Sequence, residues 1–346
     1  MRVFVYEWCT GGGLLGDTAP LPGAAALLVE GSAMVDAVAA DFAGLDGVEV
    51  VTIRDARLGP AVFANCSTIS VDSSDAVQQA FLREAHAADW TIVIAPEIDG
   101  CLSRLARDAI AAGGKLLGPS PDCIDLASDK HALAEHLAGR GVRVPNGCFV
   151  LPGSECPAGI AFPAVAKPRD GAGSQGIQIL NDRSAAFQKP ARVERLVPGI
   201  AASVAVLCGP TRLVALEPCR QRVDSRDNFK YHGGSLPLSH ELADRARRLA
   251  QQAVSTLPAA LGYLGVDLVL GNDRRGTDDY VIEINPRLTT SYIGLRQAAA
   301  QNIAAAMLAI AEDKPAELRF RLDPVCFHAD GTVRMSAAAQ MASDPS

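Results

Sequence analysis

Residues 265–287 read GVDLVLGNDRRGTDDYVIEINPR, which is two short apolar runs separated by a polar segment rich in Gly and Asp. The runs at 265–270 and 279–284 have the length and the Val, Ile and Leu content typical of buried strands. The segment 271–278 between them is typical of a turn. We therefore predict two neighbouring strands of one sheet, with acidic residues inside otherwise apolar sequence.

Three oxygen-bearing side chains stand in these two strands, namely Asp267, Glu283 and Asn285. Alternate residues of a strand share a face, so Glu283 and Asn285 point the same way and Asp267 can join them. Two carboxylates and an amide oxygen form a hard-oxygen site suited to Mg²⁺, which also binds nucleotide phosphates. The alternative is a pair of salt-bridged sheet acids, which we disfavour because acids inside apolar strands are costly unless paired or metal-bound. Arg287 extends the same edge as an anion-binding group.

A glycine-rich segment follows a lysine that ends another apolar run, in AVAKPRDGAGSQG at 164–176. Glycines let backbone N–H groups converge on an anion, and the ammonium of Lys167 adds a point charge to the same oxygens. Alone, such a hairpin is more often a flexible turn. Next to the predicted metal site, we interpret it as a phosphate-binding loop. A serine hydrolase is not supported, because Ala172 breaks the nucleophile-elbow pattern around Ser174.

The first third of the chain alternates strand-like and helical patterns, which favours a parallel, doubly wound sheet. The predicted strands are 2–6, 48–53, 90–95 and a short fourth strand at 115–117, and the predicted helices are 24–42 and 74–88. The glycine-rich run 11–16 formally matches a dinucleotide-binding fingerprint, but Pro20 and Pro22 interrupt the helix that should follow it. We interpret this run as a loop that lines a cleft.

After residue 118 the pattern changes to an α+β style. A helical stretch spans 121–140, in which Ser128 or Asp129 is placed to cap a helix. Short strands separated by Gly, Pro and Asn turns then favour an antiparallel sheet. These strands are predicted at 149–151, 164–167, 176–180, 192–196 and 202–207, and the later helices at 241–257 and 295–311.

The composition of the chain argues against several classes of function. The 32 basic and 39 acidic residues give a net charge of −7, which is the wrong sign for a protein that binds nucleic acid. Nine scattered cysteines without a Cys-x-x-Cys pair are typical of reduced, buried thiols, and no apolar run is long enough for a membrane span. His131 and His136 fall on different helix faces, which disfavours a zinc site. We expect a cytoplasmic protein with neither nucleic-acid nor membrane partners.

Four of these features, in this order, resemble the ATP-grasp superfamily. They are Asp129-Lys130, Lys167 with its glycine-rich loop, the run VERLVPG at 193–199, and Asp267 followed by the ending from Glu283 to Arg287. The resemblance covers about residues 120–312, and residues 1–118 match the Rossmann-like lobe that usually precedes such a domain. Within the superfamily, EWCTGGG at 7–13, YHGG at 231–234 and EINPRLTTSYIGLR at 283–296 are similar to the tyramine–glutamate ligases of methanofuran biosynthesis and their bacterial relatives in one-carbon cofactor pathways.

The resemblance implies roles for individual residues. Catalytic roles fall to Lys167 and to Arg287, which grips the transferred phosphate, and the implied metal ligands are Asp267, Glu283 and Asn285. The implied ATP contacts are Lys130, Lys167, the loop residues Gly171, Gly173, Ser174 and Gly176, and the hinge Glu194, Arg195 and Leu196, whose backbone reads adenine. The implied substrate contacts are Arg287, Thr289, Thr290, Ser291, Tyr231 and Glu7.

The chain departs from the family pattern in one respect. Ala201, Ala202 and Ser203 stand where many ATP-grasp chains carry an acid for the ribose, so ribose recognition stays unassigned. Arg222 and Lys230 are unranked candidates for further phosphate or carboxylate contacts.

The expected fold combines α/β and α+β parts, a Rossmann-like N-terminal lobe followed by an ATP-grasp fold of two α+β subdomains. The predicted divisions are 1–118, 119–190, 191–315 and a partly disordered extension at 316–346. The resemblance implies an ATP- and Mg²⁺-dependent ligase, with Mn²⁺ as an alternative metal, that joins the γ-carboxylate of glutamate to an aromatic amine such as tyramine through an acyl phosphate. An amino-acid or peptide ligase and a non-catalytic ATP-binding regulator remain alternatives. The partners are small molecules, and a homodimer is left open.

Overall fold

The computed structural model describes residues 1–15, 23–59, 66–171, 176–184, 187–224 and 229–335. Within these residues the chain forms three β-sheets, a parallel one near the N-terminus and two antiparallel ones after it. This matches the predicted change from an α/β to an α+β style. Among the same residues, no helix is both long and apolar enough to cross a membrane.

The N-terminal sheet is parallel and has the strand order β3-β2-β1-β4. Its elements are β1 (Arg2–Glu7), α1 (Ala24–Ala43), β2 (Glu49–Asp55), β3 (Cys66–Val71), α2 (Ser74–Ala87), β4 (Trp90–Ile94) and α3 (Cys101–Ala111). The prediction of a fourth strand at 115–117 is wrong, because only Leu116 pairs there, in an isolated bridge to Thr91. The fourth strand is β3, an exposed edge strand whose polar sequence CSTISV lacks a continuous apolar run.

Two short helices connect this sheet to the rest of the chain, α4 (Pro121–Ser128) and α5 (Lys130–Ala138). The predicted cap is confirmed at Asp129, whose side chain accepts hydrogen bonds from the N–H groups of His131 and Ala132. The cap fixes the start of α5, and therefore the position of Lys130, at the mouth of the cleft described below.

The small antiparallel sheet has the strand order β5-β8-β6-β7. Its strands are β5 (Gly147–Val150), β6 (Ala164–Pro168), β7 (Gln178–Leu180) and β8 (Ala191–Arg195). Strand β8 lies in the middle of this sheet, between β5 and β6. A division at residue 190 would separate β8 from both of its partners, so the small subdomain extends past residue 195.

The large antiparallel sheet has the order β14-β13-β9-β11-β12-β15-β16, with β10 beside β9. Its elements are β9 (Ile200–Cys208), β10 (Leu213–Ala215), β11 (Cys219–Asp224), β12 (Lys230–Leu236), α6 (His240–Val254), β13 (Gly262–Leu270), β14 (Tyr280–Asn285), α7 (Ser291–Ala298), α8 (Ile303–Ala311), β15 (Val325–Phe327) and β16 (Val333–Met335). The last two strands show that the described part of the predicted extension, up to residue 335, joins the large sheet.

The predicted closing helix at 295–311 is in fact two helices, α7 and α8. The backbone between them turns away to pair with a later segment, because Ala300 donates to Arg319 and Arg321 donates to Ala298. Asn302 then caps α8 by accepting from the N–H of Ala305. The apolar pattern runs through this break, which is why it predicted one helix.

The ring and backbone of Phe327 in β15 pack directly against glycines of two sequence motifs, YHGG at 231–234 and the segment 283–296. A Cβ atom at Gly233 would lie 2.0 Å from the carbonyl oxygen of Phe327, and one at Gly234 or Gly294 would lie 2.6 or 2.2 Å from its ring. Only glycine allows this approach. The C-terminal strands are therefore locked against β12 and α7.

The N-terminal sheet and the large sheet share one hydrophobic core, built from β1 and α1 on one side and α7, α8 and β15 on the other. Asp41 of α1 anchors this interface. Its carboxylate accepts from the hydroxyl of Tyr292 at 2.8 Å and pairs with Arg296, and its carbonyl accepts from Asn302. These contacts link the N-terminal sheet and its helices to the part that carries the large sheet.

A buried ion pair anchors the turn between β13 and β14 to helix α6. Arg245 Nε donates to Asp279 Oδ2 at 3.0 Å, and its Nη2 donates to the carbonyl of Gly271 at 2.8 Å. Asp279 in turn accepts from the N–H of Gly271 at 2.9 Å. Both side chains are buried, so the pair fixes the hairpin that carries Asp267 and Glu283.

We predict that Asp279→Ala lowers the free energy of unfolding by about 3–5 kcal/mol, because the buried guanidinium of Arg245 keeps only the distant, exposed carboxylate of Glu241, 3.9 Å from its Nη1. Urea denaturation measures the change. Asp125→Ala is the control, since Asp125 pairs with Arg107 on the surface and its loss should cost about 1 kcal/mol or less. Equal losses for the two variants would contradict the anchoring role.

Candidate active site

The three predicted metal ligands lie together on β13 and β14. Asp267 is the direct cross-strand partner of Glu283, and Asn285 Nδ2 donates to Asp267 Oδ2 at 3.0 Å. Gln221 of β11 donates from Nε2 to Asp267 Oδ1 at 2.8 Å, a contact that the sequence reasoning missed. A β-bulge follows this pair, since Leu268 is opposite Val281 and Ile282 is the extra residue.

Two carboxylates facing each other across strands repel one another, and their pKa values respond in opposite directions. Burial raises the pKa of Asp267 to about 7, and the charge of Glu283 adds to the shift. Burial acts in the same direction on Glu283, but the charge and hydrogen bond of Lys130 hold the pKa of Glu283 below its usual value. The two carboxylates of this pair therefore differ in how readily they lose a proton.

Both predicted phosphate-binding lysines point to this region and are paired with carboxylates. Lys130 Nζ donates to Glu283 Oε1 at 2.9 Å and to the carbonyl of Gly171 at 3.1 Å. Lys167, at the end of β6, forms an ion pair with Glu194 of β8. Each ammonium is thus held in place by a carboxylate that an anionic ligand can replace.

A narrow cleft extends from these charged groups between α5, the small sheet and β14. One end is polar, and the walls are aliphatic. The polar lining is Lys130, Lys167, Glu194 and Glu283, and the apolar lining is Leu133, Ala134, Leu137, Val144, Pro145, Val281 and Ile282. Charged and aliphatic side chains thus line the same cleft.

The remaining predicted ATP contacts are distributed around this cleft. Gly171 and Gly176 bound the glycine-rich loop, while Gly173 and Ser174 lie outside the described residues. In the hinge, the N–H of Arg195 donates to Asn146 and that of Leu196 donates to Pro163. These two amides are engaged within the protein, so adenine recognition by the hinge stays a prediction.

Arg287 reaches the N-terminal domain instead of lying free at the sheet edge. Its Nε lies 2.9 Å from Glu97 Oε1, and its Nη2 donates to Glu97 Oε2 at 3.1 Å. The sequence reasoning missed Glu97. A signal existed, because Glu97 comes just after the buried parallel strand β4, and the carboxyl ends of such strands carry ligand-binding groups.

The predicted substrate residues after Arg287 bond mainly to one another. Tyr263 connects to Thr289 at 3.0 Å and to Ser291 at 2.9 Å through its hydroxyl. Thr290 donates to the hydroxyl of Tyr231 at 3.1 Å. These hydroxyls fix the start of α7 below the site, and their contact with a substrate remains a prediction.

Glu7 is buried inside its own loop. Its carboxylate accepts from the N–H groups of Cys9 at 3.0 Å and Thr10 at 2.7 Å, and Gly31 of α1 packs directly against it. The neighbouring glycines pack equally closely, since a Cβ at Gly13 would lie 2.2 Å from the ring of Trp8. The loop thus uses Glu7 as an internal cap, in conflict with the expectation that it contacts substrate.

Arg222 also has internal partners. Its Nη2 donates to the carbonyl of His232 and to Nδ1 of His328, each at 3.0 Å. It therefore connects β11 to the segment after β15 and does not point to the metal-ligand cluster.

Comparison with known proteins agrees with this geometry. Residues 127–291 match the ATP-grasp domain family, and residues 48–124 match the pre ATP-grasp 3 domain family. A tyramine–L-glutamate ligase of Methanocaldococcus jannaschii is 26% identical over 302 residues, which is 86% of each chain. The carbamoyl phosphate synthase large chain of Thermomicrobium roseum is 29% identical over 204 residues, 53% of this chain and 18% of that one.

Solved structures show the same fold. An ATP-grasp superfamily protein from Archaeoglobus fulgidus superposes with a TM-score of 0.68 at 22% identity, covering 95% of this chain and 92% of that one. N5-carboxyaminoimidazole ribonucleotide synthetase from Thermotoga maritima gives a TM-score of 0.64 at 18% identity, covering 94% and 79%. The chain is an ATP-grasp protein with a pre-ATP-grasp domain, and it is an ATP-dependent ligase that resembles the tyramine–L-glutamate ligases.

Proposed function

We propose that the protein joins a carboxylate to an amine, with release of ADP and phosphate through an acyl phosphate. The proposed carboxylate is the γ-carboxylate of glutamate, and the proposed amine is tyramine or a similar aromatic amine. The observation that carries the proposal is the Asp267, Glu283 and Asn285 cluster with Lys130 at the end of an apolar cleft. The similarity to the M. jannaschii ligase supports the choice of substrates.

The donor set of this cluster fits Mg²⁺. Asp267, Glu283 and Asn285 offer carboxylate and amide oxygens, which are the donors that hard cations prefer, and the same oxygens suit Mn²⁺. Burial, and then the charge of Glu283, raise the pKa of Asp267, and a divalent cation would favour its ionised form. When bound, the metal would neutralise charge on the phosphate oxygens of ATP.

The two lysines hold the phosphates in this proposal. Lys130 and Lys167 leave Glu283 and Glu194 for phosphate oxygens, which frees Glu283 for its role as a metal ligand. The aliphatic walls of the cleft hold the adenine ring and exclude water. Such charge neutralisation and positioning are most of what phosphoryl transfer requires from a protein.

Two displacements complete the reaction. A carboxylate oxygen of the acid attacks the γ-phosphorus, so a new O–P bond forms as the bond to ADP breaks. The amine nitrogen then attacks the acyl carbon, the C–N bond forms, and inorganic phosphate leaves as the nitrogen loses its proton. Arg287 donates N–H groups to the phosphoryl and acyl oxygens, where negative charge develops.

The test of this function is an ADP-release assay with ATP, Mg²⁺, glutamate and tyramine, in which each component is omitted in turn. ADP release that requires both organic substrates, together with the amide product seen by mass spectrometry, supports the proposal. Activity with another pair in a panel of amino acids and amines indicates the alternative ligase. ATP binding without any product across the panel would contradict the proposed chemistry.

We predict that Glu283→Gln lowers turnover by about 100-fold or more while the fold is retained, because it removes the charge on a metal ligand and releases Lys130. Steady-state ADP release measures turnover, and circular dichroism checks the fold. Glu241→Gln, on the exposed side of α6, is the control and should keep full activity. A Glu283→Gln enzyme with normal turnover would remove the metal-site assignment.

We also predict a pH-dependent stability difference for Asp267→Asn in EDTA. The pKa of Asp267 is raised from 3.8 to about 7, so the folded protein holds this proton more tightly than the unfolded chain. As the pH rises from about 4 to about 8, the free energy of unfolding of the wild type should therefore decrease, relative to that of the variant, on the order of 2–4 kcal/mol.

Urea titrations at pH 4 and pH 8 measure this difference. Asp72→Asn, at an exposed carboxylate after β3, should show no such change. A difference between Asp267→Asn and wild type that is the same at both pH values would contradict the raised pKa.

A further inference from the structure

The turn after β4 brings a buried carboxylate from the N-terminal domain to the active site. Glu97 is 4% exposed, and its two oxygens lie 2.9 and 3.1 Å from Nε and Nη2 of Arg287. The two residues are 190 positions apart in the chain. A buried carboxylate needs a compensating charge, and Arg287 supplies it along one edge of its planar guanidinium.

We propose that Glu97 is a positioning residue for Arg287, through which the N-terminal domain orients the guanidinium toward the reacting oxygens. This inference rests on the role given to Arg287 in the proposed function. Glu97 holds the Nε and Nη2 edge, and the carbonyl of Leu288 accepts from Nη1 at 3.2 Å. The terminal nitrogens keep further N–H groups for a substrate oxygen, because a guanidinium carries five donors.

Without Glu97, Arg287 has other acids to approach. The negative charge of Glu97 stabilises the charged guanidinium most strongly, followed by the charges of Glu30 and Glu283. A shift toward Glu283 would bring a cation onto a metal ligand and compete with Lys130 for the same carboxylate. Glu97 therefore keeps the anion-binding arginine apart from Glu283, which lies only four positions before it in the chain.

The turn that carries Glu97 is itself tied to the small subdomain. The N–H of Asp99 donates to Asp170 Oδ2 at 3.1 Å, and Asp170 directly precedes the glycine-rich loop. Asp99 has the left-handed values φ 49° and ψ 32°, which are uncommon for a residue other than glycine. One turn thus contacts both the anion-binding arginine and the base of the loop, and its strained backbone matches a positioning role.

The competing explanation is that the contact between Glu97 and Arg287 only stabilises the fold. A second buried carboxylate of the same domain provides a matched control for this explanation. Glu84 lies in the same domain, is also 4% exposed, and pairs with Arg2 at 2.6 Å and Arg83 at 2.9 Å. Glu84→Gln removes the same charge from an equally buried carboxylate away from the site, whose arginine partners are more exposed than Arg287. It should affect stability without changing turnover.

The test compares the full-length variants Glu97→Gln, Glu97→Asp, Glu84→Gln, Arg287→Ala and the double variant Glu97→Gln/Arg287→Ala. We expect Glu97→Gln to lower kcat by about 10- to 100-fold with little change in KM for ATP, as is usual for residues that orient a catalytic group. Glu97→Asp, which keeps the charge, should recover part of this loss. In the Arg287→Ala background, Glu97→Gln should change kcat less than twofold.

The outcomes separate this inference from the proposed function. If the wild-type protein forms no amide from any acid and amine, the proposed function fails first. If it does, and Glu97→Gln keeps the wild-type kcat, Glu97 does not position Arg287. A further loss of kcat in the double variant would also overturn the inference, because Glu97 would then act independently of Arg287. If Glu97→Gln does not fold, equal kcat values for Glu97→Asp and Glu84→Gln overturn it.

Discussion

Asp267 and Glu283 are half-buried and face each other across two strands, so their repulsion has to be offset by other groups. Lys130 compensates Glu283, while the amides of Gln221 and Asn285 donate to Asp267. Three features keep these groups close to one another. They are the register of β13 and β14, the Asp129 cap before Lys130, and the ion pair of Arg245 with Asp279. A carboxylate with a strongly shifted pKa, such as Asp267, marks a candidate functional site.

Much of this cluster could be predicted from sequence because its geometry is local. A period of two along β14 puts Glu283 and Asn285 on one face, and the short turn brings Asp267 opposite. The start of α5 was equally accessible, since an Asp before a helical pattern acts as a cap. In such segments, neighbours in the chain are neighbours in space, and elementary stereochemistry decides the result.

The features that the sequence did not predict all depend on how segments distant in the chain pack against one another. Strand β3 has polar, exposed residues because it lies at a sheet edge, so its sequence has no core pattern. Strand β8 looks like the start of the large sheet but pairs inside the small one. The contact between Glu97 and Arg287 joins two domains, and no spacing along the chain predicts which acid meets which arginine. Packing of α1 against α7 decides it.

This packing also explains why a parallel sheet precedes the ATP-grasp domain. The carboxyl ends of β1 and β4 lie side by side, and each carries an acid, Glu7 as the last residue of β1 and Glu97 three residues after β4. The carboxylate of Glu7 accepts hydrogen bonds from its own loop, whereas the carboxylate of Glu97 contacts Arg287 of the other domain. Asp41 of α1 also bonds to Tyr292 of α7 and so links the two domains. The predicted metal ligands lie in the large sheet and Arg287 just after its strand β14, Lys167 lies in the small sheet and Lys130 in helix α5, while the N-terminal sheet contributes Glu97.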